Sequence, residues 1–348
     1  MSKPEEVLTV DGGYGEGGGQ ILRTSLALAA ITGQPVRLIN IRANRKNPGL
    51  RSQHLSAVQA CTQVCGSEVA GVRLGARDFT FRPGPVRAGS YILSIGTAGA
   101  VTLVLQTILP ALAHAPGDSV TVISGGTHVP WSPPFHYLER VFVPMIGRLG
   151  FPCEASLARW GWYPRGGGEI QATIKTATPA AMLGLDQPFE LECIEGISAS
   201  SRLPEHIRVR QKKQLQKRLK AAGIEARIAV LDVPALDAGS FVFICAQGKE
   251  SIAGFSSLGA RGKPAERVAD EAARDLFDFL DSGSAVDFHL ADQILIYLAL
   301  VPGTQRITTS AVTRHLLTNV WVIEQFLPVR FEVVGGLHRP GLVIKRDR

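Results

Sequence analysis

A glycine-rich or small-residue loop that runs straight into an apolar helix occurs three times in this chain, and this recurrence constrains the fold more than any other feature. The copies are Gly17-Gly18-Gly19-Gln20-Ile21-Leu22-Arg23, Gly96-Thr97-Ala98-Gly99-Ala100-Val101 and His289-Leu290-Ala291-Asp292-Gln293-Ile294. A β-branched run follows each one and reads as a strand: Val36 to Ile41, Val120 to Ile123, and Arg306 to Thr309. A second, more amphipathic helix comes next. In the middle copy Phe135, Leu138, Val141, Phe142, Met145, Ile146 and Leu149 share one face at i, i+3, i+4, i+7 spacing. Leu55, Val58, Cys61 and Cys65 do the same in the first copy, and Leu316, Val320, Ile323 and Leu327 in the third. The expected class is therefore α/β, with three repeated β-α-β-α units, each a small sheet carrying two helices on one face.

The repeats are unevenly spaced. About 81 residues separate the first two helix starts and about 192 the next two. The excess falls between Pro188 and Gly283, which carries its own strands (Phe189 to Ile194, Ile228 to Leu231, Phe241 to Ala246), a helix at Glu205 to Ala222 and another after Pro264. This spacing predicts a smaller inserted α/β domain over 188–283, with 1–187 and 284–348 forming the three-repeat body.

Composition removes several alternatives. With 348 residues, 45% hydrophobic and 19% charged, the chain can bury a large core and is not a disordered tail. Its longest apolar run, Ile294 to Val301, is far short of the ~20 residues of a membrane span, and the opening residues lack an apolar leader, so a cytoplasmic location is expected. Five scattered cysteines (Cys61, Cys65, Cys153, Cys193, Cys245) fit reduced thiols better than a disulfide frame, and no zinc-ligand spacing occurs.

Gly13-Tyr14-Gly15-Glu16-Gly17-Gly18 matches a dinucleotide-binding loop letter for letter. That reading fails, because such a fold needs an acidic residue about 20 positions on, and no Asp or Glu occurs from Gly17 through Ser67. The same stretch carries Arg23, Arg37, Arg42, Arg45, Lys46 and Arg51 beside Gln53 and His54. Cations clustered without a counter-ion repel one another unless an anion neutralises them, and the Arg42–Arg51 loop feeds a helix start, where free N–H groups favour phosphate. The net charge of +7 agrees with an anionic partner. Glu16, alone among glycines, suits either a divalent metal or a helix-start contact. Asp292 carries the same ambiguity at the opening of its helix. His315, in Arg314-His315-Leu316-Leu317-Thr318-Asn319, stands at a loop-to-helix junction and is the best nucleophile or base on offer.

Several of these segments together resemble the RNA 3′-terminal phosphate cyclase family: Gly15 to Arg23, Arg42 to His54, Leu103 to Thr107, Gly125-Gly126-Thr127, Gly166 to Glu169, Leu290 to Gln293 and His315 to Asn319. The resemblance runs in order over almost the whole length, insert included. It implies a three-repeat body related to the enolpyruvyl transferases, and ATP-dependent conversion of an RNA 3′-phosphate to a 2′,3′-cyclic phosphate. His315 would take AMP from ATP with loss of pyrophosphate. AMP would then pass to the RNA end and be displaced by the 2′-OH. The resemblance further implies that Glu16 contacts a divalent cation (Mg or Mn) bridging the ATP phosphates. Arg23, Arg42, Arg45 and Gln53 would hold phosphate charge, and His54, Gln106 and Asp292 would line the nucleotide pocket. His289 is expected there as well, although many relatives carry tyrosine at its place. RNA with a 3′-phosphate end and ATP are the implied partners, and no membrane is. Cyclase-like ribosome-biogenesis factors without activity share the fold but lack the nucleophilic histidine, so His315 favours the enzyme. Two surfaces are open to either an RNA-facing or a structural role: the aromatic loop Trp160 to Arg165 and the basic helix Glu205 to Ala222.

Overall fold

The computed structural model describes residues 6–181 and 185–348; residues 1–5, read above as lacking a leader, lie outside the described residues. The first repeat is β1 (Leu8–Asp11), α1 (Gly19–Thr32), β2 (Val36–Ile39), α2 (Ser52–Cys65), β3 (Glu68–Ala70) and β4 (Phe79–Arg82). The second is β5 (Ser90–Ser94), α3 (Val101–Leu112), β6 (Ser119–Gly125), α4 (Phe135–Tyr137), a π-helical turn (Leu138–Phe142), α5 (Val143–Arg148), β7 (Cys153–Arg159) and β8 (Gly168–Ile174). Each repeat thus ends in an antiparallel pair that the β-α-β-α reading lacked, and the sheets run β1-β2-β4-β3 and β5-β6-β8-β7. The first pair in each is parallel because a helix crosses over between its strands.

The insert follows as β9 (Leu191–Ser201), α6 (Glu205–Ala221), β10 (Ala226–Asp232), β11 (Gly239–Gly248), β12 (Ile252–Leu258) and α7 (Ala265–Asp281), with sheet order β10-β9-β11-β12. Strand β12, with two serines and Gly254, carries no β-branched run and was not legible in advance. The third repeat comprises α8 (Phe288–Leu300), β13 (Gln305–Thr309), α9 (Arg314–Phe326), β14 (Val329–Val334) and β15 (Gly341–Asp347), ordered β13-β15-β14. Its opening strand shrinks to a single parallel bridge, Val286 to Thr309.

Helices α1, α3 and α8 are apolar nearly all round because they lie at the centre: α1 packs on α2, α3 and α9, and α8 on α9. The strands alternate buried and less buried residues, as sheets covered on one face do. The middle repeat's second helix was read as one regular stretch. It instead contains the π-helical turn just ahead of Pro144, whose missing N–H cannot continue the ordinary ladder. All five cysteines are free, with Cys61, Cys65 and Cys245 buried. Among the described residues no helix is long and apolar enough to cross a membrane.

The insert has its own apolar cluster, including Leu215, Leu219, Val242, Ile244, Leu276 and Phe279. The opposite face of its sheet, Ile197, Ala199, Phe241, Phe243 and Cys245, joins the core of the body. The aromatic loop serves this joint. Trp162 is buried, Trp160 stacks on His128 at 4.1 Å, His128 bonds His136 at 2.8 Å, and Phe241 packs edge-on to His128. Arg165 Nε donates to Asp237 of the insert at 2.7 Å. The loop's aromatic–arginine pattern therefore fastens two layers, and of its rings Tyr163 alone stays open to solvent. Phe241→Ala should cost about 3–5 kcal/mol in urea unfolding; a loss below 1 kcal/mol would show that the joint carries little of the stability.

Candidate active site

A cavity of about 1010 Å³ opens where all three repeats and the insert meet. Glu16, Arg23, Arg42, Arg45, Gln53, His54, Gln106, His289, Asp292 and His315 all line it, although they span almost 300 positions of sequence.

The glycine loop before α1 is held on α9. Tyr14 stacks on Trp321 with ring centres 4.0 Å apart, and Asn44 Nδ2 donates to Gly13 O. Gly15 has φ +56, and a Cβ there would lie 2.6 Å from Thr318 Oγ1, so only glycine brings the loop this close to α9. The approach puts Glu16 Oε2 against His315 Nε2 and 3.6 Å from Arg45 Nη2. That buried oxygen has no hydrogen bond of ordinary geometry. Gln20 Nε2 donates to the His315 carbonyl at 2.9 Å, and Thr313 caps α9 through its bond from Leu316 N, so the His315 backbone is fixed from two sides. The His315 side chain is still half exposed to the cavity, with Nδ1 3.8 Å from Asp292 Oδ2. Its pKa is lowered by burial and by Arg23 and Arg45, against the opposing pull of Glu16.

Arg23 lies deep in the cavity wall. Burial lowers its pKa to about 10, with Asp292 acting the other way. Asp292 is itself raised to about 8, first by burial and then by Asp287 and Glu16. Near neutrality the carboxyl is protonated, and the Arg23 charge is left for an anion to answer. His54 accepts from Arg51 N at 3.0 Å through Nδ1, closing the start of α2. Its pKa falls to about 3 through burial and the charges of Arg23, Arg42 and Arg51, so the ring is neutral. Its Nε2 edge occupies the space left by Gly19, where a Cβ would sit 2.3 Å away. Arg42 Nη1 donates to the carbonyls of Asn47 and Gly49, which folds the basic loop on itself. Gln106 Nε2 donates to Gln293 Oε1 at 2.5 Å, tying α3 to α8. Gln53 is exposed at the second position of α2. His289 is packed against Phe288 with ring centres 4.0 Å apart, and burial lowers its pKa to about 4.

Three expectations need correction. The third apolar helix is opened by Asp287, whose carboxylate accepts from His289 N and Leu290 N; Asp292 stands in its second turn, facing the cavity. The six cations do not form one cluster, because Arg37 pairs with Asp78 on the outer sheet and Lys46 and Arg51 do not line the cavity. On α6, Arg208 points inward to Asp232, Arg210 pairs with Glu266 and Arg218 with Asp270, so much of its charge is answered inside the insert. The sequence reading also missed Asn319 as a structural hub. Its Oδ1 accepts from Thr24 and its Nδ2 donates to the Asp292 carbonyl.

The sequence profile of RNA 3′-terminal phosphate cyclase matches residues 14–333. A cyclase of that name from Methylococcus capsulatus is 45% identical over 335 residues, covering 94% of this chain and 93% of that one. One from Ignicoccus hospitalis is 42% identical, covering 96% and 97%, and one from Trichormus variabilis 43%, covering 92% and 94%. The chain belongs to the RNA 3′-terminal phosphate cyclase family. Among solved structures, the enolpyruvyl transferase NikO from Streptomyces tendae aligns with 47% of the chain and 32% of its own at 16% identity; the TM-score of 0.26 supports no inference.

In this cyclase-family site a carboxyl raised to about 8 in the fold and near 3.8 unfolded holds its proton more tightly when folded. Asp292 therefore adds stability that is complete below about pH 4 and is lost as the pH rises to about 8. Asp292→Asn, which carries no charge to desolvate, should gain on the wild type progressively across that window and hold its gain above it. Urea unfolding at a series of pH values checks this, and parallel profiles would refute it.

Proposed function

We propose that this protein uses ATP to convert the 3′-phosphate end of RNA to a 2′,3′-cyclic phosphate, with His315 as the group that carries AMP. The observation that carries the reading is the His315 imidazole, open to the cavity and fixed at its backbone, facing Glu16, Arg45 and Asp292. The names of the relatives supply the substrate class.

A phosphomonoester is a poor electrophile, because its oxygens leave badly and its charge repels nucleophiles. In the proposed first step an unprotonated His315 nitrogen attacks the α-phosphorus of ATP, an N–P bond forms and the bond to pyrophosphate breaks. The lowered His315 pKa keeps that nitrogen available. Arg23, Arg42 and Arg45 hold the phosphate charge and stabilise what develops on the departing pyrophosphate. An oxygen of the RNA 3′-phosphate then takes AMP as the N–P bond breaks. The 2′-OH attacks the 3′-phosphorus in the last step and expels AMP, its proton passing to a base.

Among the described residues no three His, Cys, Asp or Glu side chains form a ligand set for a metal. Glu16 suits a divalent ion of the Mg type, which commonly uses one or two carboxylates and completes its shell with water and substrate phosphates; the unsatisfied Glu16 Oε2 is the donor that fits. Bound there, such an ion would neutralise phosphate charge. Glu16 also lies against the nucleophile, so its position matters with or without a metal.

Two predictions follow from these roles. α-Labelled ATP should label the protein without RNA through an acid-labile, alkali-stable bond. His315→Ala should lose all labelling with its unfolding transition unchanged, whereas undiminished labelling in that variant would remove the assignment. Glu16→Gln should slow adenylation by tenfold or more, with partial recovery as the metal concentration is raised and little change in melting temperature. A melting loss equivalent to about 1 kcal/mol with normal adenylation would instead make Glu16 a helix-start contact.

A further inference from the structure

The cavity has two unlike ends. One carries His315 and the cations contributed by α1 and the basic loop. The other is built from the β6–α4 segment and the insert, and presents Trp131, Phe255, Ser256 and Lys263. Trp131 is 98% exposed, so protein covers neither face of its ring. A large apolar side chain left this open at the rim of a polar cavity calls for an occupant.

The ring is held out rather than flopping. It sits in Pro130-Trp131-Ser132-Pro133-Pro134, with Ser132 Oγ donating to the Val129 carbonyl and Thr102 Oγ1 donating to the Pro133 carbonyl. Phe135 N, just beyond, donates to Thr127 O, and α4 packs on β11 and β12. The Trp131 backbone has φ +60, a left-handed conformation that a bulky residue rarely adopts. The segment therefore keeps a strained, water-exposed indole at this point.

We propose that Trp131 is a stacking platform for a nucleobase of the RNA upstream of its reacting 3′ end, with Lys263 across the same end of the cavity beside the backbone phosphates. This rests on the cyclase reading of the cavity. The committed occupant is the RNA, not the adenine of ATP, for two reasons. The volume is at the upper limit of a single small-molecule site, about 1,000 Å³, which leaves room for a second guest. The ring also stands at the open rim on the wall away from the cations, where an incoming strand passes first. Base–aromatic stacking is indifferent to sequence, since every base has a π face, so the platform would hold many RNA ends equally.

The test uses the full protein, a single-stranded RNA oligonucleotide ending in a 3′-phosphate, and the variants Trp131→Gly and Trp131→Phe. Without ATP, the oligonucleotide should quench the wild-type tryptophan fluorescence. Affinity measured by polarisation of an end-labelled oligonucleotide should fall about 5- to 100-fold in Trp131→Gly and recover largely in Trp131→Phe. Glycine adopts positive φ freely, so Trp131→Gly should melt no lower than the wild type, and it should accept label from ATP at the normal rate. Removing single bases from the oligonucleotide should reveal one position where the loss of affinity matches that of the variant. Unchanged oligonucleotide affinity in Trp131→Gly overturns the proposal, and so does a loss confined to adenylation, which would assign the ring to adenine. Absence of ATP labelling in the wild type, with oligonucleotide binding still dependent on Trp131, would overturn the cyclase reading and leave the platform standing.

Discussion

One carboxamide holds the two halves of the site in register. Asn319 on α9 accepts from Thr24 on α1 and donates to the Asp292 carbonyl on α8, so the first and third repeats are joined through a polar group whose two ends are both satisfied. Loss of either bond would leave a half-buried polar atom without its partner. Everything reactive is measured from this point. Thr24 is one residue from Arg23, Asp292 is the carboxyl beside His315, and His315 lies one turn before Asn319 on the same helix. Apolar packing alone would allow these helices to slide by a fraction of a turn, whereas directed hydrogen bonds do not.

The electrostatics follow from that convergence. Three helices meeting around a cavity bury Arg23, Asp287 and Asp292 together, and burial penalises every charge. The carboxyls respond by holding protons, Asp292 most strongly, while the arginines remain cationic at neutral pH. A site that in sequence contains several acids and several bases becomes net positive in the fold. That polarity suits a triphosphate and a terminal phosphate, and it arises from where the acids are buried rather than from how many there are.

The insert is more than an appendage to the repeats. One face of its sheet closes its own core and the other is sealed to the second repeat through His128, Trp160 and Phe241. Asp287, capping α8, also accepts from Tyr137 of the second repeat and from Gly254 N of the insert. The insert thus reaches the helix that carries His289 and Asp292, and any displacement of it bears on the nucleotide side of the cavity.

Local physics made much of this legible in the sequence. Apolar periodicity marked the central helices, the glycine loops marked their starts, and the uneven spacing marked the insert, because burial on one face imposes a period that sequence carries directly. The ten candidate residues were found one motif at a time, and all of them reach one cavity. What sequence lacked was orientation and neighbourhood. It contained both Asp287 and Asp292 but not which one caps the helix, since that depends on where the helical dihedrals begin. It contained six cations but not that Arg37 turns outward to Asp78. It contained Trp131, Trp160 and Trp162 in two similar aromatic loops, yet only the folding of the insert onto the second repeat covers Trp162, packs Trp160 into the joint and leaves Trp131 bare. Burial is a property of the assembled chain, and burial decides whether an aromatic ring is core or contact and whether a carboxyl carries charge.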